Sequence, residues 1–391
     1  MSQPWRILVV DDEPDLEPLV LQRMRRHIRS GKYEFEFAGN GLEALEKLRA
    51  DDSIDLVLSD INMPQMDGLT LLSQLGSLNQ DLRAVIISAY GDMGNIRTAM
   101  NRGAFDFVTK PVDFDDLQIT IERTVEHLRQ WREATASRDK LVTLQNELDI
   151  ASNVQQSILP DDFPETAAYE INANMVPARN IGGDFYDYVA VPDDRMFATV
   201  ADVSDKGIPA ALFMMSSRTA LKGAAIGTGS PREALIEANR VLQADNPTFM
   251  FVTVIMAVYQ PRSGEVIYAS AGHDPPVVVR ADGSAEQMPG TGGMALGIAP
   301  EAIFASNLTE NSLTLAPGET LVLYTDGVSE AMNVEQEEFG TGRILQIFNG
   351  NPPQNAEDAM TAIFNAVAEF AGEAPASDDI TCLALHRIAS S

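Results

Sequence analysis

Acidic side chains stand where apolar runs end in this chain, and their spacing suggests two centres of phosphoryl chemistry. In the N-terminal part, ILVV leads into Asp11, Asp12 and Glu13, LVLS into Asp60, VII into Ser88, and FVT into Lys110 and Pro111. Brought together, clustered acids repel one another unless a cation joins them, and oxygen ligands that leave room for water suit Mg²⁺. The Lys110 ammonium would then meet an incoming phosphoryl oxygen, and Asp60 could attack a phosphoryl donor as a carboxylate nucleophile. Any one of these acids could be an ordinary cap or turn residue; the whole set at matching run ends argues for a site.

A second set lies further on. Asp184 sits in IGGDFYDY, Asp202 closes MFATVAD, Asp326 closes LVLYTD, and Asp378 and Asp379 precede ITCLAL. Gly183 and Gly327 adjoin two of these acids, where a backbone can approach a ligand closely. Four His and one Cys are too few for a soft-metal site. Hard carboxylate oxygens point instead to Mg²⁺ or Mn²⁺, and several carboxylates around two such ions make a water-activating, in-line phosphoryl-transfer centre. Asp-Gly is also a common turn pair, so Asp326-Gly327 gains weight only within the set.

The elements that must position these residues follow from periodicity. Apolar runs at 6–10, 33–38, 56–59, 84–88 and 105–109 alternate with helix-like segments at 14–29, 41–49, 68–78, 92–102 and from 114 onward. Asn40 with Glu43 three residues later marks a helix start. Such βα alternation predicts an α/β, doubly wound, five-stranded parallel sheet whose ligands sit at the carboxyl ends of the strands. Beyond residue 160, β-rich runs at 196–203, 250–259, 265–271, 276–279 and 320–324 and helices near 209–225, 231–246, 343–348 and 356–370 predict an α/β domain with antiparallel pairing. Domains are expected at 1–125 and 161–391.

Between them, residues 113–160 hold no Gly, and no Pro before Pro160. Leu117, Ile121, Thr124, Leu128 and Trp131, then Leu141, Leu144, Leu148, Ala151, Gln155 and Ile158, recur at steps of three and four, the seam of a long helix. A continuous helix would span roughly 70 Å. The phase slips over 134–139, predicting a break, a kink or a stutter there. The seam suits a dimeric coiled coil; it also suits a helix packed along its own domains.

Residues 5–125 resemble the receiver domain of two-component response regulators through LVVDDE, LVLSDINMPQMDG, VIISAY and FDFVTKP. The resemblance implies that Asp60 accepts phosphate from a histidine kinase. It implies that Asp11 or Asp12 and Asp60 hold Mg²⁺ with the carbonyl of Asn62, that Lys110 pairs with the phosphate, and that Ser88 and Phe107 are the switch residues. Over about residues 145–388, the motifs GGDFYD, ADVSDKGIPAALFM, FMFVTV, YASAGHDPP, LVLYTDGVSEA and DDIT resemble, in that order, the metal-dependent protein phosphatases of type 2C. The bacterial sporulation and stress-response regulators are the nearer subfamily. That resemblance implies a central β-sandwich flanked by helices and a centre of two or more Mn²⁺ or Mg²⁺ ions. Asp202 would bridge the metals, Val203 would lend its carbonyl, Asp326 and Asp378 would complete the ligands, and Asp184 would ligate or orient water. Asp379, at a position often held by Asn, would stand behind them. His273 could be a general acid, although a structural role is the simpler reading, and Arg179 is the one nearby candidate for the arginine with which eukaryotic members grip phosphate. Asp205 lies where many relatives carry Gly, the segment 297–312 has no readable motif, and residues 141–158 resemble the family's regulatory helix.

A net charge of −29, with 31 acidic against 11 basic residues in 161–391, disfavours nucleic acid as a partner. No apolar window is long enough to span a membrane, and the lone Cys382, in ITCLAL, reads as a buried small residue. A cytoplasmic homodimer is expected. Its Asp60 phosphorylation would repack the 113–160 helix and control a serine/threonine phosphatase acting on a phosphoserine protein, an anti-sigma-factor antagonist by resemblance. The competing expectation is a non-catalytic adaptor that keeps the fold and binds a regulatory partner; loss of hydrolysis with binding kept in Asp202→Ala would separate the two.

Overall fold

A strand that is apolar almost throughout must be covered on both faces, and β3 (Leu56–Asp60) is buried at every residue. The computed structural model describes residues 3–78, 81–89, 92–244 and 246–389, which divide into two units, Met1–Leu144 and Gln145–Ser391. In the first, β1 (Trp5–Val10), β2 (Tyr33–Ala38), β3, β4 (Arg83–Ala89) and β5 (Asp106–Lys110) pair in parallel in the order β2-β1-β3-β4-β5. Leu8 and Val10 enter one hydrophobic core while Ile7 and Val9 enter another, so both faces of the sheet are covered, as the doubly wound expectation requires.

The helices of this unit are α1 (Leu16–Arg23), α2 (Arg25–Arg29), α3 (Gly41–Ala50), α4 (Gly68–Leu78) and α5 (Met93–Asn101), followed by the start of α6 (Phe114–Ile158). The single helix expected over 14–29 is instead interrupted at Met24, whose backbone lies at φ −89°, ψ 5° and whose side chain is buried. Asn40 caps α3 as expected: its Oδ1 accepts from the N–H groups of Leu42 and Glu43, both at 3.0 Å, and Glu43 reaches back to Gly39 N–H at 2.8 Å.

α6 corrects the reading of 113–160. It runs for 45 residues without the break expected at 134–139. Its first apolar run belongs to the unit's own core: Leu117, Ile121, Val125 and Leu128 are buried, and Thr124 Oγ donates to the Thr120 carbonyl at 2.7 Å. Trp131 is anchored by its Nε1–H on Asp81 at 3.1 Å. By contrast Leu141 and Leu144, at the start of the second run, are 65% and 51% exposed and offer a free stripe, whereas Leu148, Ala151 and Ile158 are half-buried and Gln155 is buried.

In the second unit, β7 (Phe185–Val191), β8 (Arg195–Val203), β9 (Val252–Gln260), β10 (Glu265–Ala271) and β13 (Asn311–Thr314) form one antiparallel sheet. A second holds β6 (Tyr169–Val176), β11 (Val277–Val279), β12 (Ala285–Gln287), β14 (Thr320–Tyr324) and β15 (Ile380–Arg387). One core takes Phe197 and Ile255 from the first sheet and Leu321, Leu383 and Leu385 from the second, so the two pack as a sandwich. α7 (Ile208–Thr228) and α8 (Pro231–Ala244) flank the first sheet; α11 (Thr341–Ile347) and α12 (Ala356–Ala371) flank the second, where Met360 and Ile363 pack with Val322 and Cys382. The segment 297–312 holds α9 (Glu301–Asn307), anchored by buried Phe304, and the start of β13; α10 (Asp326–Ser329) is a single turn. Cys382 is fully buried, as expected. Among the described residues, no helix is long and apolar enough to cross a membrane.

The division of α6 into a core run and a free run is testable. Both Trp residues, Trp5 and Trp131, lie in the first unit, so their fluorescence reports its unfolding in urea. Ile121→Ala should lower that unit's stability by about 2–5 kcal/mol. Val142→Ala, at a position 53% exposed, should change it by less than about 0.5 kcal/mol.

Candidate functional site

In the first unit the parallel register decides which side chains meet. Val10 pairs with Ser59, Asp60 with Ile87 and Ala89 with Lys110, so the four strands end at the same edge of the sheet, with β4 and β5 reaching beyond β1 and β3. Lys110 Nζ stands 3.0 Å from Asp11 Oδ2, 3.0 Å from Glu13 Oε1 and 3.3 Å from Asp60 Oδ1. Burial works against the ammonium, but the bonds to Asp11 and Glu13 and the charge of Asp60 outweigh it and hold its pKa above the ordinary lysine value. Asp60 is raised by burial and by the charge of Asp11, with Lys110 opposing. Asn62 N–H donates to Asp60 Oδ2 at 3.2 Å. Only glycine fits at position 68, because a Cβ there would lie 2.1 Å from the Asp60 carbonyl oxygen. Ser88 is fully buried and its Oγ has no hydrogen-bond partner. Asp12 and Phe107 are exposed and stand outside these ion pairs. Tyr90, the last residue of VIISAY, lies outside the described residues.

In the second unit Asp184 precedes β7, Asp202 lies in β8, Asp326 opens α10, and Asp378 and Asp379 precede β15. They are close enough to feel one another. Burial, then the charge of Asp202 and that of Asp379, raises Asp184 well above the carboxylate range, against a hydrogen bond from Thr325. Asp202 is raised by burial and by Asp378 and Asp379, with a hydrogen bond to Asp184 and the charge of Lys206 opposing. Asp326 is pushed up to about 7 by burial and by Asp202, Glu330, Asp378 and Asp274. So many hard oxygens under mutual repulsion are the right donors for a divalent cation.

The geometry assigns the acids different surroundings. Thr325 Oγ donates to Asp184 Oδ2 at 2.7 Å and accepts from Thr381 N–H at 3.1 Å, tying β14 and β15 to that carboxylate. Asp379 is turned to the backbone: it accepts from Ala178 N–H at 2.7 Å and Gly183 N–H at 2.6 Å. A Cβ on Gly183 would lie 2.9 Å from the Val203 carbonyl oxygen, so the GGD turn packs directly against that group. Asp378 Oδ1 is ion-paired with Lys206 Nζ at 2.9 Å. Among the described residues no group of three or more His, Cys, Asp or Glu side chains is arranged to hold a metal ion as placed.

Other expectations resolve similarly. Asp205 is exposed and has φ 69°, the left-handed region that glycine adopts most easily. Arg179 is exposed. His273 is buried, with Nδ1 2.8 Å from Thr253 Oγ and Nε2 2.9 Å from the Tyr324 carbonyl oxygen. Nε2–H therefore donates to the carbonyl and Nδ1 accepts from the hydroxyl. Both ring nitrogens are committed, and the ring acts as a brace behind α10. Sequence reasoning passed over Thr325 and Lys206; the signal was present in YTDG and SDKG, where a polar residue adjoins an expected ligand segment.

Residues 192–388 match the family model for stage II sporulation protein E (SpoIIE), and residues 7–122 match that for the response regulator receiver domain. The chain is similar to Protein IcfG of Synechocystis sp., at 30% identity over 273 residues, covering 62% of this chain and 41% of that protein. It is similar to Phosphoserine phosphatase RsbU of Bacillus subtilis at 27% identity over 274 residues, covering 70% of this chain and 80% of that one. Among solved structures, the SiaA-PP2C domain of Pseudomonas aeruginosa matches at 25% identity and a TM-score of 0.55, covering 63% of this chain and 98% of that chain. The chain thus spans under half of IcfG and most of RsbU. A receiver domain is followed by a phosphatase-like domain of type 2C.

The brace has a pH signature. Burial lowers the His273 pKa from 6.5 to about 4. Above pH 6.5 the ring is neutral folded and unfolded; below it, the unfolded chain binds a proton that the fold refuses, and stability falls as pH drops toward 4. Urea unfolding should therefore show a loss of about 2 kcal/mol between pH 6.5 and about 5 from this group. In His273→Gln that part of the pH dependence should vanish.

Proposed function

The chain belongs to the stage II sporulation protein E family, and on that premise we propose that it is a receiver-controlled, metal-dependent protein serine/threonine phosphatase. The supporting observation is the convergence of Asp184, Asp202, Asp326 and Asp378 from four separate segments, with Asp326 raised to about 7 by burial and by its acidic neighbours. In this reading Asp202, the Val203 carbonyl, Asp326 and Asp378 would hold Mn²⁺ or Mg²⁺, and Asp184 would ligate a metal or orient water. Bound there, the ions would supply Lewis acidity and an activated water. Thr325 fixes the Asp184 carboxylate by its hydrogen bond. Asp379 holds the GGD turn against Val203, and Asp378 would have to leave Lys206 to hold a cation.

In the receiver, Asp60 accepts the phosphoryl group from a histidine kinase. Asp11 or Asp12 and Asp60, with the Asn62 carbonyl, would hold Mg²⁺, and Lys110 would pair with the phosphate. The buried, unpartnered Ser88 hydroxyl and Phe107 respond, and the change passes along α6. The exposed Leu141 and Leu144 stripe supports a homodimer through that helix. The substrate is a phosphoserine protein, supported by the name of the RsbU relative, and we place it among anti-sigma-factor antagonists. The Lys206–Asp378 ion pair favours one second reading, a non-catalytic adaptor in which the lysine keeps the place of a cation.

Turnover of a phosphoserine protein, measured with Mn²⁺ or Mg²⁺ and with or without a phosphoryl mimic on Asp60, tests this. Asp202→Ala should lower kcat by about 10²-fold or more. Asp60→Asn should abolish the response to the mimic and leave basal turnover in place. No turnover in any state, with partner binding retained, would establish the adaptor.

A further inference from the structure

Gln155 occupies a seam position of α6 where the periodicity asks for an apolar side chain, yet within 145–158 it is the only buried residue, at 3% exposure. A buried amide is costly unless both of its ends are paired, and here both are, to one residue. Gln155 Nε2 donates to the Gly182 carbonyl oxygen at 2.6 Å, and Gly182 N–H donates back to Gln155 Oε1 at 3.1 Å. The side chain stands to Gly182 as a neighbouring strand would, satisfying both its backbone groups.

Gly182 opens the turn that carries Asp184. The turn is gripped from its other side by Asp379, whose carboxylate takes the Gly183 N–H at 2.6 Å. It has no slack: a Cβ on Gly182 would lie 2.7 Å from Asp379 Oδ2, and one on Gly183 would lie 2.9 Å from the Val203 carbonyl oxygen. The position of Asp184 against Asp202 and Val203 is thus set by two clamps, Asp379 from the sandwich and Gln155 from the helix.

We propose that Gln155 is a positioning residue for the acidic site: its amide holds Gly182, and so the end of α6 sets the cation affinity of the Asp184 and Asp202 cluster. The inference rests on the phosphatase reading above. It adds the atoms through which α6 reaches the site, because displacing the helix would leave the Gly182 N–H and carbonyl unpaired in a buried place and free the turn to relax.

The test is Mn²⁺ binding to the full chain, followed by calorimetry and by the electron paramagnetic resonance of free Mn²⁺. The quantity of interest is the component that Asp202→Ala removes, which sets the receiver's own ion aside. Gln155→Leu keeps size and burial and loses both bonds. It should weaken that component by about 10-fold or more, with kcat largely restored at saturating Mn²⁺ and the unfolding midpoint in chelator close to that of the parent. Gln155→Glu keeps the acceptor for Gly182 N–H and loses the donor, and should weaken binding to an intermediate degree; it decides by the same criterion if Gln155→Leu fails to fold. Parental Mn²⁺ affinity in the folded variants would overturn the inference and leave the phosphatase reading standing. Absence of an Asp202-dependent component in the parent would overturn both.

Discussion

Like charges at close quarters in a partly buried place are the constraint on which both halves of this molecule depend. A lone carboxylate can be capped by a backbone N–H; several together need positive charge. The first unit meets the constraint with Lys110, which touches Asp11, Glu13 and Asp60 at once. The second leaves it largely unmet: among these acids Lys206 is ion-paired with Asp378, and Asp326 drifts up to about 7. Each solution matches the chemistry assigned to it. In the proposed reading, the site that would receive a phosphoryl group carries a permanent cation to meet it, whereas the site that would take exchangeable cations keeps its acids under tension.

The rest of the second unit can be read as bracing against that tension. Thr325 ties Asp184 to β15, His273 fixes the carbonyl of Tyr324 two residues before Asp326, and Asp379 spends its carboxylate on backbone N–H groups. A Cβ on Gly327 would lie 1.9 Å from the Asp379 carbonyl oxygen, so α10 and the start of β15 meet backbone to backbone. Repelling groups stay where they are because the segments bearing them have nowhere else to go.

The acids, and the parallel sheet that aligns the first set of them, were legible in the sequence because a charged residue at the end of an apolar run is a strong signal. β7 was not read as a strand, since FYDYVAV places Asp187 inside it; there Arg218 meets the carboxylate at 3.0 Å, an ion pair invisible in one dimension. β6 hid in the weak alternation of YEINANMV, of which Tyr169, Ile171, Ala173 and Met175 face the core. Along α6 the three-and-four spacing was correct, but spacing does not say what covers a face. Leu117 to Leu128 were taken by the receiver's own core, and the two polar seam residues, Thr124 and Gln155, were buried for the hydrogen bonds they make. The expected break at 134–139 rested on a slip of hydrophobic phase, and an exposed stretch of helix has no phase to keep.

One quiet feature of β15 has a practical side. Cys382 is the only cysteine of the chain, it is wholly buried, and burial drives its thiol pKa upward, so the thiolate that oxidants and alkylating agents attack is scarcely formed. The described surface is chemically blank toward sulfur reagents. A single cysteine introduced anywhere on it would carry a spin label or fluorophore with no background. With two such cysteines, distances between chosen points could then be followed in solution with Cys382 left in place, with and without phosphate on the receiver.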